Sequence, residues 1–286
     1  AAPSARAELR IDITQGTVEP LPIAITDFVG SAANEMQYGR DISRVIADDL
    51  ERSGLFRPID KRAFIQTAIA LQTLPRFGDW RVINSQALVQ GRAQIVEGGQ
   101  LRIEFRLWDV FAEQQMVGLA YVTVNENWRQ VAHIIADAVY KRITGEDGYF
   151  DTRIVYIAET GPKDNRTKRL AIMDSDGANH RFITTGRSTA LTPRYSPDYK
   201  QLVYLSYVDG NPRIYVYDIG TGRQTLISQS SNPTFAPRWS PDGRWILYSM
   251  AVGGNTDIYR VSASGGESIR LTDTPGIDIG GSYSPD

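Results

Sequence analysis

Pro237-Arg238-Trp239-Ser240-Pro241-Asp242-Gly243 decides the fold, because the string recurs at a fixed interval. It stands earlier as Pro193-Arg194-Tyr195-Ser196-Pro197-Asp198 and again, in part, as Ser282-Tyr283-Ser284-Pro285-Asp286. Asp198, Asp242 and Asp286 are 44 positions apart. The string is built for a strand that ends in a tight turn. Proline sets φ on entering the turn, Asp bonds the backbone two residues on, and Gly243 accepts a positive φ. Pro197, Asp198, Pro241, Asp242, Gly243, Pro285 and Asp286 are therefore read as structural turn residues. Tyr199 replaces the glycine in the earlier copy, which predicts either a different turn or a strained one.

The segments between the strings keep the same step. Leu202–Leu205 answers Ile246–Ser249, Ile214–Tyr217 answers Ile258–Val261, and Thr225–Ser228 answers Ile269–Thr272. An earlier copy, Ile154–Ile157, Leu170–Met173 and Arg181–Thr184, lacks the Pro-Arg-aromatic-Ser segment in front of it. Four short strands per repeat of this length is the arithmetic of a β-propeller blade, with the Pro-Arg-aromatic-Ser strand innermost. The phase predicts about three blades, with the ring beginning on a second strand and breaking off after a first one.

Upstream of about Gly148 the grammar changes to mixed α/β. Domains are expected at 1–148 and 149–286. Leu9, Ile11 and Ile13 alternate with polar residues, which predicts a strand. Ile23–Thr26 reads as another. Tyr38, Ile42, Val45, Ile46 and Leu50 fall at helical spacing, and Gly54 sits where a C-terminal cap belongs. Ala87–Val96, Leu101–Trp108 and Met116–Val124 read as strands, the first two joined at Gly98-Gly99. A last helix places Trp128, Val131, Ile135, Ala138 and Val139 on one face, with His133 on the polar face beside Arg129 and Asp137. Asn127 and Gln130 suggest a capping box at its start, and Gly145 its end.

Composition points to binding rather than chemistry. The 286 residues are 42% hydrophobic and 22% charged, with a net charge of −2. That lacks the basic surplus of a nucleic-acid binder. No apolar run is long enough to span a membrane. There is no cysteine and there are two histidines, His133 and His180. Thiol nucleophiles and Cys-based metal sites are thus excluded, and the usual zinc sets are out of reach. Gly-x-Ser-x-Gly and phosphate-loop motifs are absent. Asp48 and Asp49 are adjacent on a helix and do not face each other. No metal or cofactor is expected. Arg194 and Arg238 read equally as grips for a ligand carboxylate or as partners stacked on neighbouring rings. The start, Ala1-Ala2-Pro3-Ser4-Ala5, suits the mature terminus of an exported protein or an ordinary chain end.

The repeats are similar to PD40, or WD40-like, repeats. An α/β domain ahead of them resembles the TolB family, the periplasmic component of the Tol-Pal system. The residues that carry the likeness are Glu8-Leu9-Arg10-Ile11-Asp12-Ile13, Ile46–Leu50 with Ser53–Phe56 after it, and Ile143-Thr144-Gly145 leading to Thr152–Tyr156. The resemblance implies a six-bladed propeller, of which Ile154–Asp286 supplies about half. It also implies a protein–protein role in the periplasm. The lipoprotein Pal would dock on one face of the propeller, and TolA would meet the N-terminal segment. Outer-membrane invagination at division and envelope integrity would depend on both. Other outer-membrane or peptidoglycan-associated proteins and colicins are further implied partners. Carried onto this sequence, the TolA-facing residues are Glu8, Leu9, Arg10, Ile11, Asp12 and Ile13. The Pal-facing residues are Thr189, Ala190, Leu191 and Thr192, then Pro233, Thr234, Phe235 and Ala236, then Asp278, Ile279, Gly280 and Gly281. The alternatives are the gating propeller of a serine peptidase whose hydrolase domain lies elsewhere, or a propeller that binds a small ligand.

Overall fold

The computed structural model describes residues 9–11, 19–66, 73–208 and 210–285. They fall into two compact units that divide between Thr152 and Arg153.

The first unit is an α/β sandwich on a mixed sheet. Its strands are β1 (Leu21–Ile25), β2 (Phe56–Pro58), β3 (Ala87–Ile95), β4 (Leu101–Asp109) and β5 (Gln114–Thr123), in the order β2-β1-β3-β4-β5. β1 is parallel to β2 and β3, and the β3–β4–β5 meander is antiparallel. All of β1 is buried, as a strand covered on both faces must be. One face carries α1 (Ala33–Arg52) and α3 (Trp128–Thr144), whose Ile42, Ile46, Val131, Ile135 and Val139 pack with Ile23, Val89, Ile103 and Phe105. On the other face Ala24, Leu88, Trp108 and Val110 meet Phe64, Phe77 and Trp80, the last two from the short helix α2 (Phe77–Val82).

The sequence reading holds for α1 and its Gly54 terminus (φ 74°), for the β3–β4 hairpin at Gly98 and Gly99, and for the left-handed Gly145 that ends α3. It missed β2 and α2, which are too short to show a period. Three expectations are corrected. Asn127 makes no side-chain cap, and Gln130 instead donates to Asp151 at 3.3 Å; Asn127 itself closes a 3-10 turn over Asn125–Asn127, and that turn supplies the start of α3. Leu9–Ile11 is not a strand: Ile11 N–H donates to the Ile143 carbonyl at 3.0 Å, satisfying one of the free acceptors at the end of α3. Its alternation reflects burial of Ile11 in the core without sheet pairing. Glu8, Asp12, Ile13 and Asp286 lie outside the described residues.

The third correction concerns His133, which is buried rather than on a polar face. Its Nδ1 lies 2.5 Å from Asp49 Oδ2, and both side chains are almost wholly enclosed. A polar pair facing inward across two packed helices satisfies each other and so breaks the apolar period without exposing either.

The second unit consists of antiparallel sheets. β6 (Arg153–Thr160), β7 (Thr167–Asp174) and β8 (Arg181–Phe182) form a three-stranded sheet. Four-stranded sheets follow: β9 (Ala190–Tyr195), β10 (Gln201–Ser206), β11 (Arg213–Asp218), β12 (Gln224–Leu226), then β13 (Thr234–Trp239), β14 (Trp245–Val252), β15 (Asn255–Ser262), β16 (Ile269–Arg270). Each runs outward in chain order from its Pro-Arg-aromatic-Ser strand, as the repeat predicts. Val203, Ile214 and Val216 pack with Ile246, Tyr248 and Val261, so the two four-stranded sheets share a core. Ser282–Pro285 carries no strand assignment.

Candidate functional site

The innermost strands offer two ends, and the backbone explains both. In β9 the pairing passes from Leu191↔Leu205 to Arg194↔Val203, so Thr192 and Pro193 together face Tyr204. In β13 it passes from Phe235↔Ser249 to Arg238↔Leu247, so Ala236 and Pro237 face Tyr248. These are β-bulges at equivalent repeat positions, each against a fully buried tyrosine. Proline has no N–H for the ladder and is tolerated here because the bulge leaves that position unpaired. Thr192 and Ala236 take positive φ, 48° and 54°, and Gly280, one repeat later, takes 70°. The sequence signal for the bulge was present as a proline inside a strand.

At the leading end stand the residues that the family resemblance implies would face Pal. Thr189, Leu191 and Phe235 are half-buried, while Thr192, Pro233, Ile279 and Gly280 are exposed. Ala190 and Thr234 are buried and carry structure: Thr234 N–H donates to the Pro212 carbonyl at 3.0 Å. Asp278 is held by Thr274 Oγ1 at 3.0 Å, and Gly281 lies against Leu247 and Ile258.

At the trailing end the Ser-Pro-Asp turns share two serine bonds. Ser196 Oγ donates to Asp198 at 2.6 Å and accepts from Gln201 N–H at 2.9 Å. Ser240 Oγ donates to Asp242 at 2.5 Å and accepts from Trp245 N–H at 2.9 Å. The Ser240 hydroxyl and the Arg244 backbone hold the Asp242 carboxyl down at about 2. Tyr199, φ 58°, occupies the place of Gly243, φ 70°, in the same turn. Asp198 and Asp242 thus serve their turns, and among the described residues they belong to no cluster of metal-ligating side chains. Beside them lies an open cavity of about 440 Å³ lined from three repeats, including Arg194, Arg238, Trp239 and Tyr283.

In the first unit Arg10 lies against Gly145, where a Cβ would come within 2.7 Å of its guanidinium. Arg10, Lys141 and Arg142 border a groove with Val117, Leu119 and Ala138. These cations sit at the negative end of α3. His133 is engaged by Asp49, and His180 packs edge-on to Phe182, with ring centroids 4.9 Å apart.

The sheet pattern and the repeats agree with comparisons to known proteins. Residues 140–286 match the family described as TolB beta propeller domain, and residues 9–116 match the TolB amino-terminal domain. The Tol-Pal system protein TolB of Paramagnetospirillum magneticum is 57% identical over 220 residues, 77% of this chain and 49% of that protein. The chain thus spans about half the length of this curated relative. The crystal structure of TolB from Acinetobacter baumannii superposes with a TM-score of 0.77 at 27% identity, covering 95% of this chain and 65% of that one. An α/β unit followed by propeller sheets, in this order and at this similarity, places the chain in the TolB family.

Proposed function

We propose that the chain is a periplasmic protein–protein interaction scaffold of the Tol-Pal system, with no chemistry of its own. Pal docks on the leading rim of the propeller sheets, and TolA meets the segment Glu8–Ile13. In this role it supports outer-membrane invagination during division and envelope integrity. Colicins and other outer-membrane or peptidoglycan-associated proteins are candidate further partners. The observation that carries the reading is the recurring bulge. It gives Leu191 and Phe235 the same backbone setting at one rim, and Ile279 precedes a left-handed Gly280 at the same repeat position, so the repeats present a periodic, partly apolar edge. No described helix is long and apolar enough to cross a membrane. A segment whose described residues are held by the Ile11 backbone bond, by Leu9 against the core and by Arg10 beside Gly145 is also suited to strand or segment exchange with a partner.

The test is calorimetric titration of this chain with purified Pal and with the periplasmic part of TolA. Ile279→Asp and Phe235→Asp should weaken Pal binding at least tenfold and leave TolA binding intact. Deletion through Ile13 should do the reverse. Unchanged Pal affinity in both rim variants would remove the rim assignment, and unchanged TolA binding after the deletion would remove the segment's.

A further inference from the structure

The trailing end of the inner strands holds two positive charges that nothing described neutralises. Arg194 and Arg238 occupy the same position in successive repeats, directly after each bulge. A bulge re-aims the side chain that follows it. Each guanidinium is held by one bond to the carbonyl of the preceding proline, Pro193 at 2.8 Å and Pro237 at 2.9 Å. One guanidinium carries five N–H donors, so most remain for a ligand. Among the described residues neither arginine has an ion-pair partner, and neither lies over an aromatic ring; the arginines that do so are Arg129, Arg169 and Arg260. The stacking reading therefore falls away.

The surroundings favour an anion. The nearby carboxylates, Asp198 and Asp242, are tied into their turns and do not line the cavity. No acidic side chain among the described residues lines it. Trp239 Nε1 donates to the Arg194 carbonyl at 3.2 Å, which links the two strands and packs an indole beside the charges. Burial, and then the like charge of Arg194, lower the basicity of the Arg238 guanidinium. Two like charges side by side, without a counter-charge, are relieved by a bound anion.

We infer that Arg194 and Arg238 form a carboxylate-binding site at the trailing end of the propeller's inner strands, taking a small organic acid in the cavity walled by Trp239, Tyr195 and Tyr283. The planar guanidinium matches a carboxylate through two parallel bonds, which gives selectivity over a spherical anion. The site lies at the far end of β9 and β13 from the rim proposed for Pal, and it does not depend on that proposal.

Succinate is the probe, titrated at constant ionic strength against the fluorescence of Trp239, with succinamide, phosphate and chloride as separate arms. A saturable response to succinate alone is expected. Arg238→Gln and Arg194→Gln should weaken it at least about tenfold, and Arg238→Lys, which keeps the charge but not the fork, about threefold. The Nε–Hε resonances of Arg194 and Arg238 in the unsubstituted protein should move with succinate, which needs no variant to fold. A response equalled by chloride, saturation by phosphate without succinate, retention of affinity in both glutamine variants, or unmoved arginine resonances would each overturn the assignment.

Discussion

The two units anchor their buried polar groups over very different distances along the chain. In the repeat unit, Ser196 and Ser240 bind partners two and five residues away. In the α/β unit, His133 reaches Asp49 across 84 positions, and Glu35 reaches the Ile95 N–H across 60 while also accepting from Ser31 and Ala32. The repeat unit is written as a local motif that can be copied. The α/β unit depends on anchors that exist only once the helices have packed on the sheet. Removing a long-range anchor should therefore cost more than removing a turn bond.

The largest effect is expected for Asp49→Ala, which takes away the carboxylate held against the buried His133 ring and removes the Arg52 contact at 2.6 Å. Stability of the α/β unit should fall by about 3 kcal/mol, the usual scale for breaking a buried polar pair from one side. Urea denaturation followed through Trp80 and Trp108 would measure it, and Asp49→Asn, which keeps an acceptor, should cost less. A loss no larger than that of the turn variants would break the contrast between units.

Glu35→Gln comes next. The carboxylate takes three backbone N–H bonds, and a glutamine can aim only one oxygen at them, so about 2 kcal/mol is expected. The Ile95 N–H, foremost, holds its pKa below the ordinary glutamate value. A lowered folded value means that the stabilisation is present above the unfolded carboxyl value near pH ~4.3 and is lost as pH falls through the lower folded one. Acid denaturation curves of wild type and Glu35→Gln should thus converge at low pH and separate above it.

Ser240→Ala leaves Trp245 N–H without its acceptor and should cost about 1–2 kcal/mol, confined to the repeat unit. Asp242, held at about 2, makes the same turn sensitive to acid. Its contribution is complete above the unfolded aspartate value and disappears as pH drops through about 2. Comparing amide exchange at Trp245 in wild type and Asp242→Asn would sharpen this.

The smallest effects belong to the glycine position of the turns. A Cβ at Gly243 meets only the Pro197 ring, in ordinary contact at 3.6 Å from Cδ and 3.9 Å from Cγ, so Gly243→Ala should cost only the left-handed backbone, about 1 kcal/mol. Tyr199→Gly relieves that strain but frees the unfolded chain, and should change stability by less than about 1 kcal/mol. Paired thermal melts of the two variants would show whether one turn tolerates both residues because its hydrogen bonds, not its glycine, hold it.

Legibility followed the same division. The 44-residue repeat, the four strands of each later sheet, the shortened first sheet and the Ser-Pro-Asp turns were readable, because each is specified by residues that touch within a few positions. Of the proposed sites, the paired arginines were visible as repeat partners, but their lack of a counter-ion was not. His133 was misplaced because a helical wheel ranks residues by polarity and cannot see that Asp49 waits on another helix.

By itself, the sequence determined the repeat, its phase and the chemistry of every local turn, since short-range contacts and backbone preferences suffice for these. Only the tertiary structure decided the β2-β1-β3-β4-β5 order, the buried Asp49–His133 and Glu35–Ile95 anchors, and the bulges that turn Arg194 and Arg238 toward one cavity. Each of these rests on groups distant in the chain, whose mutual satisfaction is settled by packing and not by neighbouring residues.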